Sequence, residues 1–183
     1  MSDDGNARAL GRLAELLREQ GGLMATLVTA DAPEGRFGDG PGPAQTAGAG
    51  PRAQHAREEY ELLVEAIYEG YLLHYGAGRV VAAAEADLGL LAGDRLYALG
   101  LARLVALGDT EAVVELADTI TLGALAQAAQ EPELAQAVWE AGARAVGWGA
   151  SPAHAHAKRL AFARSPETIE AMRTSAAGVP ASP

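Results

Sequence analysis

The chain contains no cysteine, which rules out disulfides and thiolate chemistry and suits a reducing, cytoplasmic setting. Aromatic residues make up only 5% of it, and β-branched runs are scarce, which removes the usual material of a sheet. No stretch of about 18 uninterrupted apolar residues is present to span a bilayer. The first residues, Met1 to Asn6, are acidic and polar and lack the basic and apolar regions of a signal peptide. Peripheral association with a membrane complex is left open. Positive charge is short as well: 14 Lys and Arg stand against 24 Asp and Glu, a net charge of -10. That excess repels phosphate backbones and anionic lipid, so nucleic acid is not an expected partner. No Gly-x-x-x-x-Gly-Lys loop, serine elbow or dinucleotide fingerprint occurs.

What is present is Ala and Leu. Apolar residues make up 49% of 183, ample for a single all-α core of closely packed helices. Leu10, Leu13, Leu16 and Leu17 recur at helical spacing between Asn6, a candidate N-cap, and the stop Gly21-Gly22, with an extension over Leu23 to Val28 beyond a kink. These form an N-terminal helical segment, residues 1–30. Between Asp31 and Arg52, ten of twenty-two residues are Gly or Pro and only Phe37 is large and apolar, the composition of a flexible linker over 31–53.

A bundle is expected over 54–177. Its first helix runs from about Gln54 to His74, with Tyr60, Leu63, Ile67 and Tyr71 on one stripe and Glu58, Glu61, Glu65 and Glu69 on another. The next carries Leu88, Leu91, Leu96, Leu99, Leu101 and Leu104 to a stop at Gly108 and is apolar nearly all round. It is therefore expected to be the central, buried helix, with Gly93 and Gly100 admitting neighbouring backbones. Asp109 or Thr110 caps a helix through about Gln130, and Glu131-Pro132 opens another that ends near Trp148. Ser151-Pro152 and Ser165-Pro166 open two more, and a tail, 178–183, frays. The total is roughly six to seven helices.

Candidate chemistry is sparse. Asp87 and Asp94, seven apart, share a helical face, and their expected roles are a favourable place at a helix start and satisfaction of nearby donors rather than a metal site. The acidic stripes Glu58/Glu61/Glu65/Glu69 and Glu111/Glu115/Asp118 read as solvated faces, because a di-iron site asks for Glu-x-x-His and Tyr71 stands three before His74. His154 and His156 point about 200° apart on a helix and cannot grip one zinc ion together. Trp139 and Trp148 are expected to be buried in a core or an interface. No metal and no cofactor is called for.

Tyr68-Glu69-Gly70-Tyr71-Leu72-Leu73-His74, followed by Leu90-Leu91-Ala92-Gly93-Asp94-Arg95-Leu96, resembles a landmark pair in the trans-polyprenyl diphosphate synthases. The likeness extends over roughly residues 54 to 162. It implies part of the isoprenoid-synthase fold, an all-helical bundle in which a helix ending in His runs into an aspartate-rich motif. In this chain Tyr75-Gly76 stand where that family has two aspartates, and no Asp-Asp pair follows Asp3-Asp4. A departing diphosphate needs magnesium held by carboxylates, so the resemblance implies a shortened, non-catalytic relative.

Three readings follow from it. The first is an accessory or interaction subunit, forming a homo-oligomer or joining a partner protein through helix faces. The second is a binder of a prenyl lipid or quinone tail, with Tyr71, His74, Tyr75, Leu91 and Asp94 around an inherited pocket. The third is the small subunit of a two-chain polyprenyl diphosphate synthase, active only with its partner.

Overall fold

A computed structural model describes residues 2–29 and 41–178. Over them the chain forms nine α-helices and no strand: α1 (Ser2–Gln20), α2 (Gly22–Leu27), α3 (Pro43–Ala49), α4 (Arg57–Tyr75), α5 (Ala86–Leu107), α6 (Thr110–Ala128), α7 (Pro132–Trp148), α8 (Pro152–Phe162) and α9 (Thr168–Ala177). The all-α expectation holds, but the number of helices exceeds the six to seven expected. The additions are the short α2, set off where Gly21 and Gly22 both adopt φ of +67°, and α3.

Helix α3 overturns the linker reading over its described half. Pro43, Ala44, Gln45, Ala47 and Gly48 are buried, and a 3₁₀ turn, Pro51–Ala56, leads directly into α4. The small residues that look like a tether serve close packing instead. A Cβ added at Gly147 in α7 would lie 2.5 Å from the Ala47 carbonyl oxygen, so α3 and α7 cross backbone to backbone. Residues 30–40, with Phe37, and the tail 179–183 lie outside the described residues.

The centre of the molecule is α4 rather than α5. Its stripe Tyr60, Leu63, Ile67 and Tyr71 is buried among side chains of α3, α5, α6 and α7, while Leu62 and Ala66 pack on α1 and α5. Burial is continuous from Leu62 to Tyr71, so α4 has no solvated face along that stretch. Each large side chain buried there contributes about 1.5–3 kcal/mol. Helix α5 packs chiefly on α4 and leaves Leu90, Leu91 and Val105 exposed. Its glycines do act as expected: a Cβ at Gly100 would lie 2.8 Å from the Leu63 carbonyl oxygen. Apolar composition all round α5 reflects one face in the core and a second, outward face that is apolar without being covered.

The C-terminal half is organised by α7, which packs on α6, α3 and α9. Asp109 and Ser151 cap α6 and α8, accepting from the N–H groups of Ala112 at 3.0 Å and His154 at 3.1 Å. These caps fix where α6 and α8 begin, and hence where Glu115 and His154 meet.

Candidate functional site

The residues singled out by the family resemblance divide into two groups. Tyr71, His74 and Tyr75 lie on the last turns of α4, and Asp94 faces them from α5, because Gly70 and Gly93 let the two helices touch. A Cβ at Gly93 would lie 2.9 Å from the Gly70 carbonyl oxygen. The His74 ring stacks on Tyr97 with centroids 5.2 Å apart, and its Nε2 lies 3.2 Å from an Asp94 carboxylate oxygen. Leu91 stands apart at 65% exposure.

Tyr71 faces the core. Its ring lies 5.1 Å from Trp139 and 5.9 Å from Tyr68, and its hydroxyl accepts from the Gln127 side-chain amide at 2.6 Å. The three rings fill the space between α4, α6 and α7.

The acidic stripe of α4 is solvated at Glu58, half-buried at Glu61 and buried at Glu65 and Glu69, which corrects the sequence reading at its last two positions. Glu65 and Glu69 are 1% and 0% exposed, and Arg79 from the loop after α4 is buried between them. The Arg79 guanidinium pairs with Glu65, lies 3.4 Å from Glu69 and sits 5.0 Å over the Tyr68 ring. One oxygen of Glu69 accepts the backbone N–H groups of Arg79, Val80 and Val81 at 2.7, 2.7 and 3.0 Å. Burial pushes the Glu65 carboxyl above its ordinary range, against the opposing pull of Arg79. Arg79 is thus a buried cation held between two carboxylates of α4.

The stripe on α6 needs the same correction at one position. Glu111 is exposed, but Glu115 is buried and receives His154 Nε2 at 3.1 Å and Lys158 Nζ at 2.8 Å. Desolvation pushes Glu115 up, yet the bonds from His154 and Lys158 outweigh it and hold the carboxyl below the usual range. Lys158 also reaches Asp118 at 2.7 Å, and His154 Nδ1 lies 3.2 Å from the Ser175 hydroxyl oxygen. His156 is exposed, so the two histidines do diverge. The spacing His154, Ala157, Ala161 carries the signal for the buried one, since all three lie on the inner face of α8.

Asp109 gathers a third cluster. It accepts the Tyr60 hydroxyl at 2.7 Å and Arg52 at 2.7 Å, and it caps α6. Burial and the bond to Asp109 push the Tyr60 hydroxyl up to about 12. Desolvation alone would raise Asp109, but its donors prevail and the carboxyl sits below the ordinary range. A depressed folded pKa confers stability that is complete above the unfolded value, about 3.9, and is lost as pH falls. Asp109→Asn keeps a capping side chain and removes the titration. Its melting temperature should therefore fall less steeply than that of the parent between pH 5 and pH 3, as thermal melts would show.

One surface stands out against these paired charges. The solvent side of α6 presents the uncharged row Val114, Ala117, Thr121, Leu125 and Ala128, all exposed, with exposed Glu111 in the first turn and Asp118, paired to Lys158, at its edge. Val114 is 57% and Leu125 37% exposed, on a face that is ordinarily polar. Helix α5 adds a related row, Leu91, Ala98, Ala102 and Val105, all exposed, with Arg95 its charged member.

Among the described residues no three His, Asp or Glu side chains sit where they could hold a metal ion, and no helix is long and apolar enough to cross a membrane. No family model, curated protein or solved structure matches the chain.

Proposed function

We propose that the chain is an assembly subunit without prenyl-transfer activity, similar to a shortened, non-catalytic polyprenyl synthase, that pairs with a second copy of itself through the outward face of α6. The uncharged stripe from Val114 to Ala128 carries this reading. An isologous dimer sets the same patch of both subunits against each other, and a neutral patch does so without like-charge repulsion. The absence of prenyl-transfer chemistry rests on Tyr75 and Gly76 at the helix end and on Arg79 being held by Glu65 and Glu69.

Sedimentation equilibrium of the full chain at micromolar concentration is expected to give a dimer. Val114→Glu with Leu125→Glu should weaken it about a hundredfold, since two apolar contacts are lost and each 1.4 kcal/mol is a factor of ten. A parent chain that is monomeric at about 50 μM, or a dimer indifferent to the double substitution, would sink the proposal. Incubation with allylic and homoallylic diphosphates and Mg²⁺ should yield no product; chain elongation only with a synthase partner would replace it with the two-chain reading, and elongation by the chain alone would make it an active prenyl transferase.

A further inference from the structure

The cluster around Glu115 has a chemical arrangement that assembly does not use. His154 lies between two buried partners, Glu115 at 3.1 Å from Nε2 and Ser175 at 3.2 Å from Nδ1. A nucleophile, a base and a group that orients the base, each within hydrogen-bond reach of the next, are the parts of an activated serine. They border an opening. His154 and Ser175 both line a cavity of about 270 Å³ between α7, α8 and α9, together with Arg144, Trp148 and Thr174.

We propose that Ser175, His154 and Glu115 form a nucleophilic relay that hydrolyses small acyl esters admitted to this cavity. The carboxylate of Glu115 holds the imidazole proton on Nε2, which leaves Nδ1 free to accept from Ser175. At rest the Ser175 hydroxyl also has the Met172 carbonyl oxygen at 3.0 Å, so its single proton turns from that carbonyl toward Nδ1 without the oxygen moving. Glu115, Asp118 and Lys158 together carry one net negative charge, two carboxylates against one ammonium. That charge stabilises the imidazolium formed when His154 takes the serine proton. Arg144, stacked 4.0 Å over Trp148, is the permanently cationic side chain in the cavity lining and favours the oxyanion.

The steps balance without a further reagent beyond water. Ser175 Oγ bonds to the ester carbonyl carbon as its proton passes to Nδ1, and the carbonyl electron pair moves onto oxygen. Collapse breaks the carbon–alkoxide bond, and the leaving alcohol takes the proton from Nδ1. Water then gives its proton to Nδ1 and its hydroxyl to the acyl carbon, and Ser175 leaves with that proton as the free acid departs. The cavity lies just below the roughly 300–1,000 Å³ of drug-sized ligand sites, which limits the acyl group to a short one.

The test is reaction of the full chain with a fluorophosphonate and with p-nitrophenyl acetate. One phosphonyl adduct is expected, on Ser175 in the tryptic peptide Thr174–Pro183, together with ester turnover. Ser175→Ala and His154→Gln should each lower turnover about a hundredfold or more. Glu115→Gln, a positioning change, should lower kcat with little change in KM. Circular dichroism checks that each variant is folded, and the adduct on the parent chain decides the matter even where one is not. No adduct on Ser175, or equal labelling in folded His154→Gln, would overturn the relay and leave His154 as a buried packing residue.

Discussion

Replacing Arg79 by methionine is expected to cost the fold about 3–5 kcal/mol at pH 7, read as the loss in unfolding free energy from urea titration. Methionine preserves much of the stem that packs over Tyr68, so the loss isolates the charge. What remains is two buried carboxylates, Glu65 and Glu69, with no cation between them. Because a domain of this size is stable by about 5–15 kcal/mol, the change removes a large share of the total.

The pH dependence separates charge from packing. Burial already holds Glu65 above its ordinary range with Arg79 present, and removing Arg79 takes away the opposing pull. A carboxyl whose folded pKa is raised confers stability that is complete below the unfolded value, about 4.3, and is lost as pH rises through the folded value. The deficit of Arg79→Met should therefore shrink as pH is lowered from 7 toward 5. A deficit constant with pH would place the loss in packing. Glu65→Leu combined with Arg79→Met should recover part of the stability, since one buried charge goes with its partner. Recovery stays incomplete because Glu69, which receives three backbone N–H groups, is still left buried without Arg79 beside it.

Much of the helical framework is legible from spacing. The stripe Tyr60, Leu63, Ile67, Tyr71 lies in the core, Asp109 and Ser151 cap their helices, and Gly93 and Gly100 mark close crossings. What fails is the assignment of faces, and the reason is shared. A sequence pattern gives the angle between two side chains on a helix, but it does not say which angles are covered. Glu65 and Glu69 have a polar pattern yet lie inside, because Arg79 in the following loop and three amides satisfy them. Leu91 and Val105 have a core pattern yet lie outside, because α4 covers one side of α5. The Gly/Pro run fails in another way, since the composition that permits a flexible chain also permits two backbones to touch, as at Ala47 and Gly147. The Ser175–His154–Glu115 contact joins residues up to 60 positions apart, a pairing that periodicity does not carry.

Trp139→Ala is expected to destabilise the chain by about 3–5 kcal/mol and to lower its melting temperature by about 6–20 °C. The ring is 1% exposed and lies 4.8 Å from Tyr68 and 5.1 Å from Tyr71, centroid to centroid, so its loss empties the middle of the α4–α6–α7 packing. Gly123 of α6 faces the ring as well: a Cβ there would lie 3.3 Å from Trp139 Nε1, so that position of α6 has no side chain to fill the gap. A hole walled by aromatic rings stays dry and accepts a flat apolar guest. Indole or benzene should therefore raise the melting temperature of Trp139→Ala and leave the parent unchanged, with recovery approaching 2.7 kcal/mol at about a hundred times the dissociation constant. The same measurement bears on the prenyl- or quinone-tail reading. If a tail can enter only where a ring has been removed, farnesol stabilises the variant alone; if farnesol stabilises the parent as well, the rings part to admit it and the tail-binding reading is supported.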